Sequence, residues 1–126
     1  MKLILISILS LISSLTFAAD KAKHVDAEGA AKLIAEGKVT IVDVRTKDEF
    51  SEGHLKDARN IDIMEPSFEA ELAKLDKTQP VLFHCQAGGR STRALPTFEK
   101  LGFTHIIHLD GGFGGWLDAG KPVVKP

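Results

Sequence analysis

Between residues 39 and 109, short apolar runs rich in β-branched residues alternate with stretches patterned as helices, and few folds accept that alternation. Val39-Thr40-Ile41-Val42-Asp43-Val44 is too continuously apolar for a sheet with one wet face. It suits a strand buried on both sides, as parallel sheets require. Residues 58–62, 81–84 and 105–109 read as further strands. Helices are expected over residues 26–36, with Asp26 as cap and Gly37 as stop, after the Thr46-Lys47-Asp48-Glu49 capping box, over 66–75, over 91–101, and around Trp116. Strands alternating with helices predict an α/β fold: a mostly parallel central sheet with helices on both faces. Ligands in such sheets bind beyond the carboxyl ends of the strands.

The first residues read as an address rather than as part of that sheet. Met1-Lys2 is a short positive region. Residues 3–17 are uncharged and apolar, and Thr16 and Ala18 are small residues at the positions a signal peptidase reads. The run is shorter than the ~20 residues that cross a bilayer comfortably. Residues 1–18 are therefore expected to be a cleaved signal peptide and residues 19–126 a single domain, periplasmic or secreted, with no stable membrane association after cleavage.

Lys and Arg together number 16 against 17 Asp and Glu, a formal net charge of −1, and the basic residues are scattered. That balance gives no footprint for nucleic acid and points to small partners. The chain has one Cys, so no intramolecular disulfide can form, and a lone Cys in an exported chain suggests either intermolecular pairing or a reactive thiol.

Cys85 falls where such a sheet places chemistry. It directly follows the strand at 81–84 and opens the loop Cys85-Gln86-Ala87-Gly88-Gly89-Arg90, with a helix beyond. With Gly88 and Gly89 free to take positive φ, successive amides can turn inward as an anion-binding nest, and the helix N-terminus adds to the same field. Both favour thiolate, the nucleophilic form. Arg90 suits fork-like pairing with an incoming oxyanion. A merely buried Cys needs neither glycine loop nor Arg. His84 is expected on the opposite face of the strand, in a structural role.

The loop resembles the Cys-x-x-Gly-x-Arg pattern of single-domain rhodaneses. Ile41-Val42-Asp43-Val44-Arg45, Glu49-Phe50, Gly53-His54-Leu55-Lys56-Asp57-Ala58-Arg59-Asn60-Ile61 and Gly111-Gly112-Phe113-Gly114-Gly115-Trp116 are similar to that family in the same order. The resemblance implies a sulfurtransferase in which Cys85 is the catalytic persulfide carrier, with Gln86, Ala87, Gly88, Gly89 and Arg90 binding substrate. It implies a small sulfur donor, thiosulfate or a persulfide, and a thiol or cyanide acceptor, with neither metal nor organic cofactor. Asp43 and Arg45 are read as supporting residues, with Arg45 and Glu49 expected to pair and His54 to hold a turn. Trp116 and Phe113 are expected to close the core.

Two other readings compete. A cysteine phosphatase or arsenate reductase-like enzyme would use His-Cys, five residues and Arg, whereas four separate Cys85 from Arg90. A persulfide carrier without useful turnover would need the same loop.

Overall fold

A computed structural model describes residues 22–126, and the expected signal peptide lies outside them. Five strands, β1 (Lys23–Val25), β2 (Thr40–Asp43), β3 (Arg59–Asn60), β4 (Val81–His84) and β5 (Ile106–Leu109), form one sheet in the order β1-β5-β4-β2-β3. Every pairing is parallel. Between and after them run α1 (Ala27–Ala35), α2 (Lys47–Glu52), α3 (Phe68–Ala73), α4 (Gly89–Lys100) and α5 (Gly112–Asp118).

Side chains of the central strand β4 alternate between two cores. Val81 and Phe83, followed by Cys85, join Phe68 and Leu72 of α3 and Ala94, Leu95 and Phe98 of α4. Leu82 joins Ala27 and Ala30 of α1 and Phe113 and Trp116 of α5 on the other face. The α/β layering with covered faces is thus the expected one. Phe98 is fully buried and stacks on Phe83 at 4.1 Å, so its truncation to Ala costs about 3–5 kcal/mol.

The caps read from sequence are present. The Asp26 carboxylate accepts the Gly29 N–H at 2.8 Å, and Thr46 and Glu49 cap α2 reciprocally. Two features differ from expectation. β1, an edge strand on β5, has no apolar run to announce it. α4 begins at Gly89 rather than Ser91, because Gly88 takes a left-handed conformation that turns the chain straight into the helix.

Candidate active site

The carboxyl end of β4 delivers Cys85 into a pocket of hydrogen-bond donors. Its Sγ accepts the Gly88 amide at 3.0 Å and the Ser91 hydroxyl at 3.3 Å, and the residue is only 1% exposed. Burial works against ionisation. Hydrogen bonds from Ser91 and from the Gly88 and Ala87 amides outweigh it and hold the thiol below its ordinary range. The N-terminus of the 12-residue α4 lies at the same place, adding positive potential.

Of the two loop glycines, both free to take positive φ, only Gly88 does. Gly88 has φ 109°, and a β-carbon there would lie 2.6 Å from the Asp110 carbonyl oxygen. Gly89 is an ordinary first helical residue with open space around it. A third glycine, Gly112, is fixed by close approach. Its β-carbon would lie 2.6 Å from the Gln86 carbonyl oxygen, because α5 begins against the loop and its Phe113 and Gly114 amides donate to the Cys85 and Gln86 carbonyls. The Gly-rich motif before Trp116 therefore clamps the loop as well as closing the core.

Arg90 stands in the first turn of α4, where its guanidinium binds the Glu49 carboxylate through two hydrogen bonds of 2.7 and 2.9 Å. The expected Arg45–Glu49 pair is not formed. Glu49 is already engaged by Arg90 and Thr46, and Arg45 turns the other way to the buried Asp43 carboxylate at 2.7 Å. Arg45 also donates to the Gly53 carbonyl at 2.8 Å and to Gln86 Oε1 at 3.3 Å, and lies over the Phe113 ring. Asp43 and Arg45 thus meet the loop through Gln86. His54 does hold its turn, with Nδ1 at 2.9 Å from the Phe50 carbonyl.

His84 is fully buried and faces the Phe113 ring, on the side of the sheet opposite Cys85. Its Nδ1 donates to the Cys85 carbonyl at 2.9 Å, and burial pushes its pKa down, so the ring is neutral. A cleft of about 440 Å³ beside the loop is lined by Arg45, Glu49, Gln86, Phe113, Leu117 and Lys125.

Three residues at the site were not singled out from sequence. Asn60 binds the Asp43 and Arg45 carbonyls at 3.1 and 2.8 Å. Ser91 touches the sulfur, and His108 lies behind it with Nε2 2.6 Å from the Ser91 hydroxyl. Ser91 had a local signal, since it directly follows Arg90 in the first turn of α4; His108 reads only as part of an apolar strand.

Together these features define an α/β domain whose central parallel strand ends in a cysteine cradled by amides. Residues 26–119 match the rhodanese-like domain family, and the chain belongs to that family. It is 34% identical over 95 residues to Protein HIGH ARSENIC CONTENT 1, mitochondrial, of Arabidopsis thaliana, covering 68% of this chain and 56% of that protein. The chain thus spans little more than half of the plant relative. It is 27% identical over 104 residues to a sulfurtransferase of Allochromatium vinosum, covering 82% of this chain and 95% of the relative. Among solved structures it is similar to the polysulfide-sulfur transferase homodimer of Wolinella succinogenes, with TM-score 0.70, 29% identity and coverage of 84% and 80%.

Proposed function

We propose that the protein transfers sulfane sulfur as a persulfide on Cys85, taking it from thiosulfate or a persulfide and giving it to a thiol or cyanide. The observation that carries this reading is the Cys85 sulfur held at 3.0 Å from the Gly88 amide and 3.3 Å from the Ser91 hydroxyl. The sulfurtransferase named in Allochromatium vinosum and the polysulfide-sulfur transferase of Wolinella succinogenes support it.

In the first half-reaction the thiolate attacks the outer sulfur of the donor. The donor S–S bond breaks, and sulfite or a thiolate departs with the electron pair. In the second, the acceptor attacks the outer sulfur of the persulfide and Cys85 leaves as thiolate. A low-pKa thiol is the better leaving group, so the same hydrogen bonds assist both halves. The amides of Gln86, Ala87, Gly88 and Gly89 hold the terminal sulfur and the charge of the departing group, and Arg90 draws anionic donors toward the loop. Reversible covalent chemistry at one sulfur requires no cofactor. Steady-state thiocyanate formation from thiosulfate and cyanide tests the reading: turnover is expected in the wild type and absent in Cys85→Ser, and equal turnover in both would refute it.

The same proposal includes export, with cleavage after Ala18. The charged start, apolar run and small residues of positions 1–18 support it. Among the described residues no helix is long and apolar enough to cross a membrane. N-terminal sequencing of native protein should begin at Ala19, and a retained Met1 or Lys2 would reject cleavage.

A further inference from the structure

The hydrogen bonds behind Cys85 do not stop at Ser91. The Ser91 hydroxyl is 2.6 Å from His108 Nε2, and His108 Nδ1 is 2.7 Å from Asp110 Oδ1, which His24 Nδ1 also meets at 2.6 Å. The sheet builds this line. Phe83 of β4 pairs in register with His108 of β5, so His108 and Cys85 stand on the same face, with Ser91 of α4 between them. Cys85 and His108 are 1% and 2% exposed, whereas the Asp110 side chain is 56% exposed and lines, with His24, an open cleft of about 760 Å³. The line therefore joins a buried thiol to solvent.

Roles are set at the outer end of the line, whereas at its inner end the single Ser91 hydroxyl proton has three acceptors within reach: His108 Nε2 at 2.6 Å, the Gly88 carbonyl at 3.2 Å and Cys85 Sγ at 3.3 Å. Asp110 is partly buried, which opposes its ionisation, but hydrogen bonds from His24 and His108 hold its carboxyl below the usual range, so it only accepts. His108 must then donate from Nδ1, and Nε2 is the position whose protonation can change. With Nε2 bare, Ser91 donates to it and presents a lone pair toward the sulfur, which suits a thiol. With Nε2 protonated, the imidazolium donates to Ser91 and Ser91 donates to the sulfur, which suits a thiolate.

We propose that His108 is a positioning residue for sulfur transfer, taking the Cys85 proton through Ser91 so that thiolate and imidazolium form together while Asp110 holds the imidazolium. This rests on the reading of Cys85 as nucleophile. The Sγ–H bond breaks with its electron pair left on sulfur, its proton passes to Ser91 Oγ, and the former Ser91 proton passes to Nε2. Total charge is unchanged, and no co-reactant is needed. When Cys85 departs from the persulfide in the second half-reaction, the same Ser91 hydrogen bond meets the returning thiolate.

The titratable and charged surroundings of His108 are consistent with this role. Asp110 and His24 lie on its outer side, the His24 ring edge-on at 5.5 Å; Cys85 lies on its inner side through Ser91, and neutral His84 lies across β4. His24, His108 and Asp110 also present atoms within 4.8 Å of one another. Their two contacts at 2.6 and 2.7 Å are hydrogen bonds through ring protons. They are shorter than the roughly 3.3 Å ligand-to-ligand edge of a tetrahedral zinc shell.

The rate of Cys85 alkylation by iodoacetamide, followed from about pH 5 to about pH 9, reads the thiolate without any sulfur transfer. His108→Gln keeps a hydrogen bond toward Ser91 but cannot take the proton. Alkylation near pH 6 should fall roughly tenfold, one unit of apparent pKa, and the acid limb of kcat/KM for thiosulfate should move up with it. Ser91→Ala should shift the profile at least as far, and adding His108→Gln to it should produce nothing more. Asp110→Asn, at a half-exposed side chain, should shift it the same way by less and serves if His108→Gln does not fold. Profiles superimposable on wild type in folded His108→Gln and Asp110→Asn proteins would overturn the relay. A shifted profile in a protein that forms no thiocyanate would leave the relay standing and remove the sulfurtransferase reading.

Discussion

Arg90 and Glu49, 41 residues apart in the chain, are joined by a two-bond ion pair that ties the first turn of α4 to α2. The pair is partly buried, so it has structural as well as electrostatic weight. Arg90→Ala should lower stability by about 1.5–3 kcal/mol in urea unfolding, since hydrogen bonds between charged groups are lost. Kinetically it should weaken thiosulfate more than an uncharged sulfane-sulfur donor, and an equal loss with both would make Arg90 structural only. Arg90→Lys should recover part of the stability, lacking the fork that matches both carboxylate oxygens.

The same pair sets an acid limit. Arg90 holds the Glu49 carboxyl at about 2, well below its ordinary 4.5. A depressed folded-state pKa stabilises the fold above 4.5, and that contribution disappears as pH falls from 4.5 toward 2. Urea midpoints measured down this range should drop more steeply for wild type than for Glu49→Gln, which starts lower and lacks this proton uptake. Parallel slopes would mean that the ion pair contributes no pH dependence.

Gly88 and Gly89 provide a matched test of the loop geometry. Gly88→Ala should destabilise by about 2 kcal/mol or more, from the positive φ together with the 2.6 Å approach to the Asp110 carbonyl oxygen. Gly89→Ala should leave stability unchanged or raise it by about 0.4–1 kcal/mol, because its backbone is helical and the space is open. Thermal melts of the two variants decide this, and equal losses would contradict the described loop.

These contrasts also mark what could be read from sequence. The parallel sheet was legible because strands β2 and β4 are buried on both faces and carry continuous apolar runs. Cys85 was legible because strand, glycine loop and helix start are adjacent in sequence. β1 was not: Lys23 and His24 are exposed, and what makes them a strand is pairing with Ile107 and His108, far along the chain. Spacing points Glu49 to Arg45, four residues back, whereas its partner is Arg90, which only the packing of α4 against α2 brings near. His108 belongs to the same class. Only the register of β4 against β5 gives it the face that Cys85 occupies.

Loop length should decide which oxyanion chemistry the site performs. The Gly88 amide closes on Sγ at 3.0 Å, and a ring this tight is expected to admit a terminal sulfur more readily than a tetrahedral phosphate. Aryl phosphate hydrolysis should be negligible in wild type. One Gly inserted between Gly88 and Gly89 should reduce sulfur transfer sharply, although the entropy cost of the longer loop is small. Phosphate hydrolysis by the unmodified protein that disappears in Cys85→Ser would support the phosphatase reading instead.

The central claim is a sulfur atom carried on Cys85, and mass spectrometry of the protein after incubation with thiosulfate measures it directly. The peptide containing Cys85 should gain the mass of one sulfur, lose it on addition of cyanide or a thiol, and show no gain in Cys85→Ser. A peptide that stays unmodified while the protein still forms thiocyanate, or a sulfur added elsewhere and retained in Cys85→Ser, would contradict the account.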